Sequence, residues 1–187
     1  MKYKHVALVA VSGTGKGTVS SYLFDLIPGL CLSISATTRS PRQGEVDGKH
    51  YYFLTRKKFI EKINNNEFAE WFEYNGNLYG TLMSEVKRIE NEGGVILFDI
   101  EINGAMALKK SLGEKVVCVF LEAPIEVCEA RLRGRNTESE EYIQGRLKIG
   151  REVEIPRKKE CDFIVPYGEG ADPGFTAHHV ANLMIAA

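Results

Sequence analysis

The sequence lacks the features that would place the protein in a membrane or on a nucleic acid. No apolar run among its 187 residues approaches the roughly 20 residues that a membrane-spanning helix needs. Basic and acidic residues are nearly equal in number, with 24 Lys and Arg and 25 Asp and Glu, so the formal net charge is -1. Such a chain carries no broad positive field. We therefore expect neither nucleic acid nor membrane as a partner, and any anion site must depend on local basic clusters.

Cysteines are also few. The four of them form no CxxC pair and have no histidine at zinc spacing, so we expect reduced thiols in the core.

The apolar run at residues 6–11 is too short for a secretory signal and passes at once into a glycine loop, which predicts a cytoplasmic protein. His178 and His179 are adjacent and do not face each other on a helix, so no metal site is assigned there.

The hydrophobic pattern predicts one α/β domain. Apolar strand-like runs alternate with segments of helical period, as expected when helical crossovers join the strands of a parallel sheet in a three-layer fold. The predicted strands are residues 5–11, 31–36, 95–100, 116–121 and 162–166. The predicted helices are residues 16–27, 83–93, 103–111, 125–133, 139–154 and 175–186.

One segment, residues 37–81, interrupts this alternation. It holds an aromatic run at residues 51–53, a short helical stretch at 55–65, and two strand-like runs around a turn at Asn75-Gly76-Asn77. This pattern predicts a small antiparallel insert. The insert would stand over the carboxyl edge of the parallel sheet, where α/β folds bind ligands.

A phosphate loop is predicted between the first strand and the first helix. Glycines there let backbone N–H groups curl around a phosphate, the helix N-terminus adds partial positive charge, and Lys16 supplies a point charge. The strict GxxxxGK[ST] pattern is not met, because Ala10 replaces the first glycine and Gly17 stands where a magnesium-binding hydroxyl is expected. A glycine-rich turn that binds nothing is the alternative. The predicted ATP-binding residues are Ser12, Gly13, Thr14, Gly15, Lys16, Gly17 and Thr18.

Residues 33–81 offer the groups for a second, acceptor nucleotide. Arg39 and Arg42 flank a proline turn and suit a phosphate bidentately. For an isolated RxxR, surface charge would be the favoured interpretation, but the residues around this one favour a phosphate site. The phenols of Tyr51 and Tyr79 could also bind a phosphate. Glu70, with the hydroxyl of Thr81, favours guanine, since a carboxylate accepts from both the N1–H and the exocyclic amine of that base.

Charged residues further along the chain complete the predicted site. Asp99 and Glu101 lie two apart near a strand end, so their side chains share a face, and Asp99 could organise magnesium and its waters. Both acids could instead cap the following helix. Arginines around a polar segment could close onto moving phosphates. The predicted catalytic residues are Lys16, Arg39, Asp99, Arg131, Arg135 and Arg146.

Five ordered segments resemble bacterial guanylate kinases over about residues 5–165. They are the phosphate loop, SISATTRSPRQGEVDGKHYYF, EFAEWFEYNGNLYGT, ILFDIEINGA and RLRGRNTESEEYIQGRL. The resemblance implies ATP-dependent phosphorylation of GMP with Mg2+, and tolerance of a GKGT loop. It implies a P-loop core at about 1–36, 82–130 and 150–187, a GMP-binding insert at about 37–81 and a helical lid at about 131–149. It places Ser35, Glu70, Thr81 and Glu101 at the guanine, and Arg39, Arg42, Tyr51 and Tyr79 at the GMP phosphate.

The resemblance leaves two alternatives and one departure. The main alternative is a catalytically inactive, guanylate-kinase-like protein-binding module, although such domains typically lose the phosphate loop. The second is a kinase of the same fold with another phosphorylated acceptor, which Glu70 and Thr81 argue against. Pro166-Tyr167 stands where the family usually has an Asn-Asp turn near the adenine. A monomer or a small homo-oligomer is expected.

Overall fold

The computed structural model of the protein describes residues 3–74, 76–135 and 139–185. Its strands are β1 (His5–Ala10), β2 (Leu30–Leu32), β3 (Ala36–Thr37), β4 (Tyr52–Phe53), β5 (Phe68–Tyr74), β6 (Asn77–Leu82), β7 (Val95–Asp99), β8 (Val116–Glu122) and β9 (Phe163–Pro166). Its α-helices are α1 (Lys16–Leu26), α2 (Arg56–Asn64), α3 (Met83–Asn91), α4 (Ile102–Leu112), α5 (Ile125–Gly134), α6 (Glu140–Ile149), α7 (Ile155–Arg157) and α8 (Pro173–Leu183).

A five-stranded parallel sheet in the order β2-β7-β1-β8-β9 forms the centre of the molecule. Every residue of β1 is buried, as expected for a strand covered on both faces. Alternate side chains enter different cores: Ala7 and Val9 pack with residues of α3, α4, α5 and α6. Val6 and Leu8 pack with residues of α1 and α8. These two helical layers around one parallel sheet confirm the predicted three-layer α/β fold.

A second, four-stranded sheet in the order β4-β3-β6-β5 forms the insert. Its small core contains Ala36, Phe59, Leu78 and Leu82, and the Phe59 and Phe68 rings stack with centroids 4.3 Å apart. The sheet is mixed, because β3 pairs with β4 in parallel while β6 pairs antiparallel with both β3 and β5. The prediction of a purely antiparallel insert was therefore wrong at the β3–β4 pair.

The predicted strand at residues 31–36 was also wrong, because it is two strands in two sheets. The N–H of Ser33 still donates to Leu97 O at 3.3 Å in the main sheet. The N–H of Ile34 donates instead to the Glu85 carboxylate at 3.2 Å. The chain leaves the first sheet at this point and enters the second at Ala36, which makes residues 33–35 the link between core and insert.

The single helix predicted at residues 139–154 is interrupted. After α6 the chain makes a π-helical turn over Gly150–Glu154 before the short α7. Pro156 has no N–H and cannot donate in the ordinary ladder, which explains the change of pattern. Gly150 also sits close to the first strand, since a Cβ there would lie 2.6 Å from a Val11 methyl carbon.

In the part of the chain that the structure describes, none of the helices has the length and apolar character needed to cross a membrane.

The carboxylate of Glu85, on α3, joins the insert to the core. The side chain is 1% exposed. It accepts from the Ile34 N–H at 3.2 Å, from the Tyr52 hydroxyl at 2.9 Å and from the Arg88 guanidinium at 2.9 and 3.0 Å. Burial alone would raise the pKa of Glu85, but the hydrogen bonds from Arg88, Ile34 and Tyr52 outweigh it and hold that pKa below its usual value. A buried, fully bonded carboxylate therefore fixes where the insert begins.

Glu85→Gln should destabilise the fold by about 1 to 3 kcal/mol, because it removes charge-assisted hydrogen bonds from a buried site. The folded-state pKa is lowered, so this stabilisation exists above the unfolded pKa and is lost as pH falls through the folded pKa. Urea unfolding at neutral and acidic pH measures both effects. Glu92→Gln is the control, since Glu92 is an exposed partner of the same Arg88. Equal losses in the two variants would contradict this role for Glu85.

Candidate active site

The loop between β1 and α1 has the shape that the sequence predicts for an anion cradle. Gly13 and Gly15 have φ angles of 87° and 102°, which L side chains rarely adopt. A Cβ on Gly13 would lie 2.3 Å from the carbonyl oxygen of Cys128 on α5, so the loop also packs too closely for any side chain. α1 begins directly after this turn, and the N–H groups at the start of a helix favour an anion. The N–H of Thr18 donates to Gly15 O at 3.0 Å.

A cleft of about 440 Å³ opens above this loop. Its walls come from the loop itself, from the insert, from the end of β7 and from α5, α6 and the π-helical turn. Beyond residues 10–17 it is lined by Tyr51, Phe72, Tyr79, Asp99, Ile100, Glu101, Arg135, Arg146, Ile149 and Glu154. The structure thus brings the phosphate loop, two phenols of the insert, the two acids after β7 and two of the predicted lid arginines to one space. The predicted site residues outside this lining are Thr18, Ser35, Arg39, Arg42, Glu70, Thr81 and Arg131.

Lys16 lies at the floor of the cleft and pairs with Asp99. Its Nζ forms an ion pair with Asp99 Oδ1 and also donates to Ile100 O at 3.5 Å. Asp99 ends β7 beside the central strand, and its side chain is 49% exposed. Glu101 occupies the N-cap position of α4 without a side-chain capping bond. Both acids line the cleft.

Arg39 is already paired with an acid that the sequence reasoning missed. Its guanidinium donates to Glu45 Oε1 at 2.7 Å, and its central carbon lies 5.4 Å from the Tyr51 ring centroid. The hydrogen bond from Arg39 lowers the pKa of Glu45 to about 2, so this carboxylate stays charged. The Tyr51 and Tyr79 rings are in edge contact at 6.4 Å. Arg39 and the two phenols therefore form one cationic and aromatic cluster, of which the phenols line the cleft.

Two further residues that the sequence predicts to bind a phosphate or a base, Arg42 and Ser35, lie in different places. Arg42 is exposed and outside the cleft lining, and its backbone N–H donates to Glu45 Oε2 at 2.6 Å. Ser35 is partly buried in the link between the sheets. Its backbone carbonyl accepts from the Tyr52 N–H at 2.9 Å.

Glu70 is a buried acid of the insert with one carboxylate oxygen that lacks a partner among the described residues. It is 3% exposed, and its Oε1 accepts from the Thr81 hydroxyl at 2.7 Å. Its Oε2 has no hydrogen-bond partner among the described residues. Burial raises the pKa of Glu70 to about 7; the hydrogen bonds from Thr81 act against that rise, and the charge of Glu101 adds to it. A buried acceptor without a donor is costly, so this oxygen is suited to the N–H groups of a ligand.

The three arginines of the predicted lid do not occupy equivalent positions. Arg146 donates from Nε to Ser12 Oγ at 2.8 Å, and Arg135 is exposed at the end of α5; both line the cleft. Arg131 instead donates to Thr14 O and, at 3.2 Å, to Gly168 O, with its guanidinium 5.4 Å from the Tyr167 ring centroid. Arg131 braces the back of the phosphate loop. Residues 136–138 of the predicted lid lie outside the described residues.

Glu154 is a second acid that the sequence reasoning missed. It is 7% exposed on the π-helical turn and lines the cleft. Its spacing of eight residues from Arg146 was a usable signal, since positions i and i+8 share a helical face. Glu45 could also have been found from the sequence, because it lies only three residues after Arg42.

Comparisons with known proteins give a consistent result. The family model described as "Guanylate kinase" matches residues 2–167 of the chain. A guanylate kinase of Synechococcus elongatus is 44% identical over 176 residues, which cover 94% of this chain and 95% of that protein. One from Prochlorococcus marinus is 43% identical over 159 residues, or 84% of each. The crystal structure of guanylate kinase from Anaplasma phagocytophilum has a TM-score of 0.70 at 27% identity, covering 97% of this chain and 84% of that one.

Gly13→Ala should destabilise the protein by roughly 1 to 3 kcal/mol, because its methyl group would overlap a backbone oxygen that cannot move cheaply. Gly17→Ala is the matched control. A Cβ on Gly17 meets nothing within 4 Å, and alanine is favoured in a helix by about 1 kcal/mol. Chemical denaturation compares the two variants. If they were equally stable, the close packing of the loop on α5 would not constrain Gly13.

Proposed function

The chain belongs to the guanylate kinase family, and from this premise we propose that its cleft transfers the γ-phosphoryl group of ATP to the phosphate of GMP, giving ADP and GDP. The observation that carries the proposal is the shared cleft, which Lys16 of the phosphate loop and Tyr51 and Tyr79 of the insert line together. Such a cleft can hold two nucleotides with their phosphates end to end.

ATP binds at the phosphate loop. The amide groups of residues 12–18 surround its β- and γ-phosphates, and the Lys16 ammonium exchanges Asp99 for the phosphate oxygens. The left-handed conformations of Gly13 and Gly15 support this role, because such turns can make an anion-binding concavity of backbone N–H groups.

GMP binds across the insert. The Glu70 carboxylate accepts from the guanine N1–H and exocyclic amine, with Thr81 holding its other oxygen. Ser35 and Glu101 border the same base. The unpartnered, buried Oε2 of Glu70 supports this assignment.

The GMP phosphate is bound by Arg39, Tyr51 and Tyr79, with Arg42 reaching it from the neighbouring turn. The Glu45 carboxylate now occupies the Arg39 guanidinium, so the phosphate takes the place of this acid when GMP binds. A planar guanidinium suits the two oxygens of either anion.

Charge neutralisation is the main catalytic contribution in phosphoryl transfer. Lys16, Arg135 and Arg146 line the cleft and neutralise the moving charge. Arg131 supports the loop from behind, and closure of the lid excludes water that would compete with GMP.

Mg2+ accompanies ATP, and its usual contribution is to neutralise phosphate charge. Asp99 fits this role through bound waters, because its half-exposed carboxylate lines the cleft beside Lys16. Thr18 fits less well, since it is exposed and outside the cleft lining. Within the described ranges, no three His, Cys, Asp or Glu side chains are grouped as a metal site. Magnesium commonly keeps several waters, which suits this sparse set.

An inactive binding module is the alternative function. The intact loop geometry at Gly13 and Gly15 and the cleft-lining cations Lys16, Arg135 and Arg146 favour the enzyme. We further propose that the enzyme works in the cytoplasm as a monomer or small homo-oligomer. The balanced charge supports the absence of nucleic-acid and membrane partners.

Lys16→Ala should lower kcat at least about a hundredfold, because it removes a positioned cation from the transferred phosphate. A coupled assay of ADP release with GMP, AMP, CMP and UMP measures this and the choice of acceptor. Lys148→Ala is the control, since Lys148 is exposed on α6. Equal turnover of AMP would remove the guanine assignment, and no turnover of any acceptor by the wild type would favour the inactive module.

The KM for GMP should rise as pH falls below about 7, where Glu70 becomes protonated and can no longer accept two hydrogen bonds from guanine. A raised pKa in an acid means that the ionised, binding form exists above that pKa and is lost below it. Steady-state kinetics from pH 6 to pH 8 measure the effect. Glu70→Gln should flatten this dependence, and comparison with it cancels the ionisation of GMP itself. Parallel curves for both enzymes would exclude Glu70 as the base-binding group.

A further inference from the structure

Two cysteine thiols lie side by side at one edge of the main sheet. Cys118 belongs to β8, and Cys161 stands just before β9, the edge strand that pairs with β8. The Cys118 thiol donates to the Cys161 sulfur across 2.8 Å. A disulfide bond is about 2.05 Å long, so the two sulfurs need to approach by less than about 1 Å to be joined.

The backbone on both sides holds this contact in place. The Asp162 N–H donates to the Cys118 carbonyl oxygen at 2.9 Å, and the Cys118 N–H donates to Asp162 Oδ2 at 2.8 Å. The Cys161 N–H donates to Lys158 O at 3.1 Å and closes the turn before β9. Because these bonds fix the main chain at both cysteines, the sulfurs can be joined with little movement of the backbone.

The two thiols differ in their access to solvent. Cys118 is fully buried, whereas Cys161 is 9% exposed. The hydrogen bond to Cys161, and after it burial, raises the pKa of Cys118, so this thiol keeps its proton. Lys109 is paired with Asp162, whose hydrogen bond raises the pKa of the ammonium group, and the charge of Cys161 adds to that rise. Cations near a thiol favour its reaction with oxidants, so Cys161 is the thiol that reacts first.

The other two cysteines contact oxygen atoms. The Cys31 thiol donates to Val95 O at 3.6 Å, and Cys128 Sγ lies 3.4 Å from Thr14 Oγ1. Neither contact can become a disulfide. All four cysteines are free thiols, and the contact between Cys118 and Cys161 brings two of them together.

We propose that Cys118 and Cys161 are an oxidative modification site, at which a hydroperoxide converts the two thiols into a disulfide that closes residues 119–160 into a loop. That loop carries α5, α6 and the π-helical turn. A reducing compartment keeps such a pair as thiols, so the disulfide forms when a hydroperoxide is present. Neither cysteine is among the described residues that line the cleft, and the site does not depend on the proposed function.

The reaction balances with one hydroperoxide as the oxidant. The Cys161 sulfur attacks one oxygen, the O–O bond breaks, and the other oxygen takes the Cys161 proton and leaves as water or an alcohol, which gives a sulfenic acid. The Cys118 sulfur then attacks the Cys161 sulfur, so that the S–S bond forms and the S–O bond breaks. The leaving hydroxyl group takes the Cys118 proton and departs as water. The two thiols together lose two electrons, which the hydroperoxide gains.

The disulfide should stabilise the fold, because it constrains the unfolded chain through a loop of roughly 40 residues. The native contacts change little, since the backbone already holds the two sulfurs together. For a chain of this length, the expected rise in Tm is about 5 to 10 °C.

Brief treatment of the full chain with hydrogen peroxide tests the proposal. The protein is first reduced with dithiothreitol, transferred to buffer without reductant and exposed to hydrogen peroxide, which catalase then removes. Thiols titrated in denaturant should fall from four to two, and the mass should fall by that of two hydrogen atoms. Peptide mapping without reductant should show the Cys118 and Cys161 peptides joined. Dithiothreitol should restore all four thiols and return Tm to its starting value.

Cysteine variants show whether this pair is responsible. Cys161→Ser and Cys118→Ala should each keep three thiols and an unchanged Tm after the same treatment. Cys31→Ser is the matched control and should fall from three thiols to one. If Cys118→Ala does not fold, Cys161→Ser decides, because Cys161 is the less buried of the pair.

Three results with the wild type would overturn the proposal. They are four remaining thiols, a gain of oxygen atoms without a crosslink, and a crosslink through Cys31 or Cys128. A disulfide between Cys118 and Cys161 that left Tm unchanged would overturn the stabilising effect of the closed loop. The kinase assay of the reduced protein is a separate measurement, so failure of either proposal leaves the other standing.

Discussion

The close packing of the phosphate loop against α5 and α6 is the constraint on which the rest of the site depends. Gly13 lies against the backbone of Cys128, and Gly150 lies against Val11. Arg131 ties the loop to Thr14 and Gly168 from behind. Because the loop follows the fully buried β1, a strand at the centre of the main sheet determines where Lys16 lies. A preorganised array of donors stabilises charge without reorganising at the moment of reaction.

Two of the cations at the site are paired with acids. Lys16 pairs with Asp99 and Arg39 with Glu45. In the proposed mechanism, phosphate binding therefore exchanges one anion for another and does not bring a ligand to isolated charges. Such an exchange reduces the net gain in binding energy, but it keeps the side chains extended and in place. Glu85 adds the mechanical link, because it fixes the start of the insert to α3 while the insert carries Glu70, Tyr51 and Tyr79.

The sequence was sufficient for the fold class, since the alternation of strand-like and helical periods and the position of the glycine loop are local features. It was insufficient where tertiary contacts decide. Residues 31–36 have the composition of one strand, and only the buried Glu85 shows why the chain changes sheets at Ile34. The pairing of Arg39 with Glu45 and the inward direction of Glu154 depend on packing between elements. Arg131 looked like a lid residue because its spacing to Arg135 is helical, but only the position of Tyr167 explains its place behind the loop. The roles of the individual site residues stay predictions.

The central claim is that one cleft holds two nucleotides end to end between Lys16 and Glu70. The most direct test is inhibition by a compound in which adenosine and guanosine are joined through a five-phosphate bridge. We expect this compound to compete with ATP and also with GMP, because its two ends would occupy both sites at once. Competition with only one of the two substrates would contradict it, since the sites would then not share a continuous cleft.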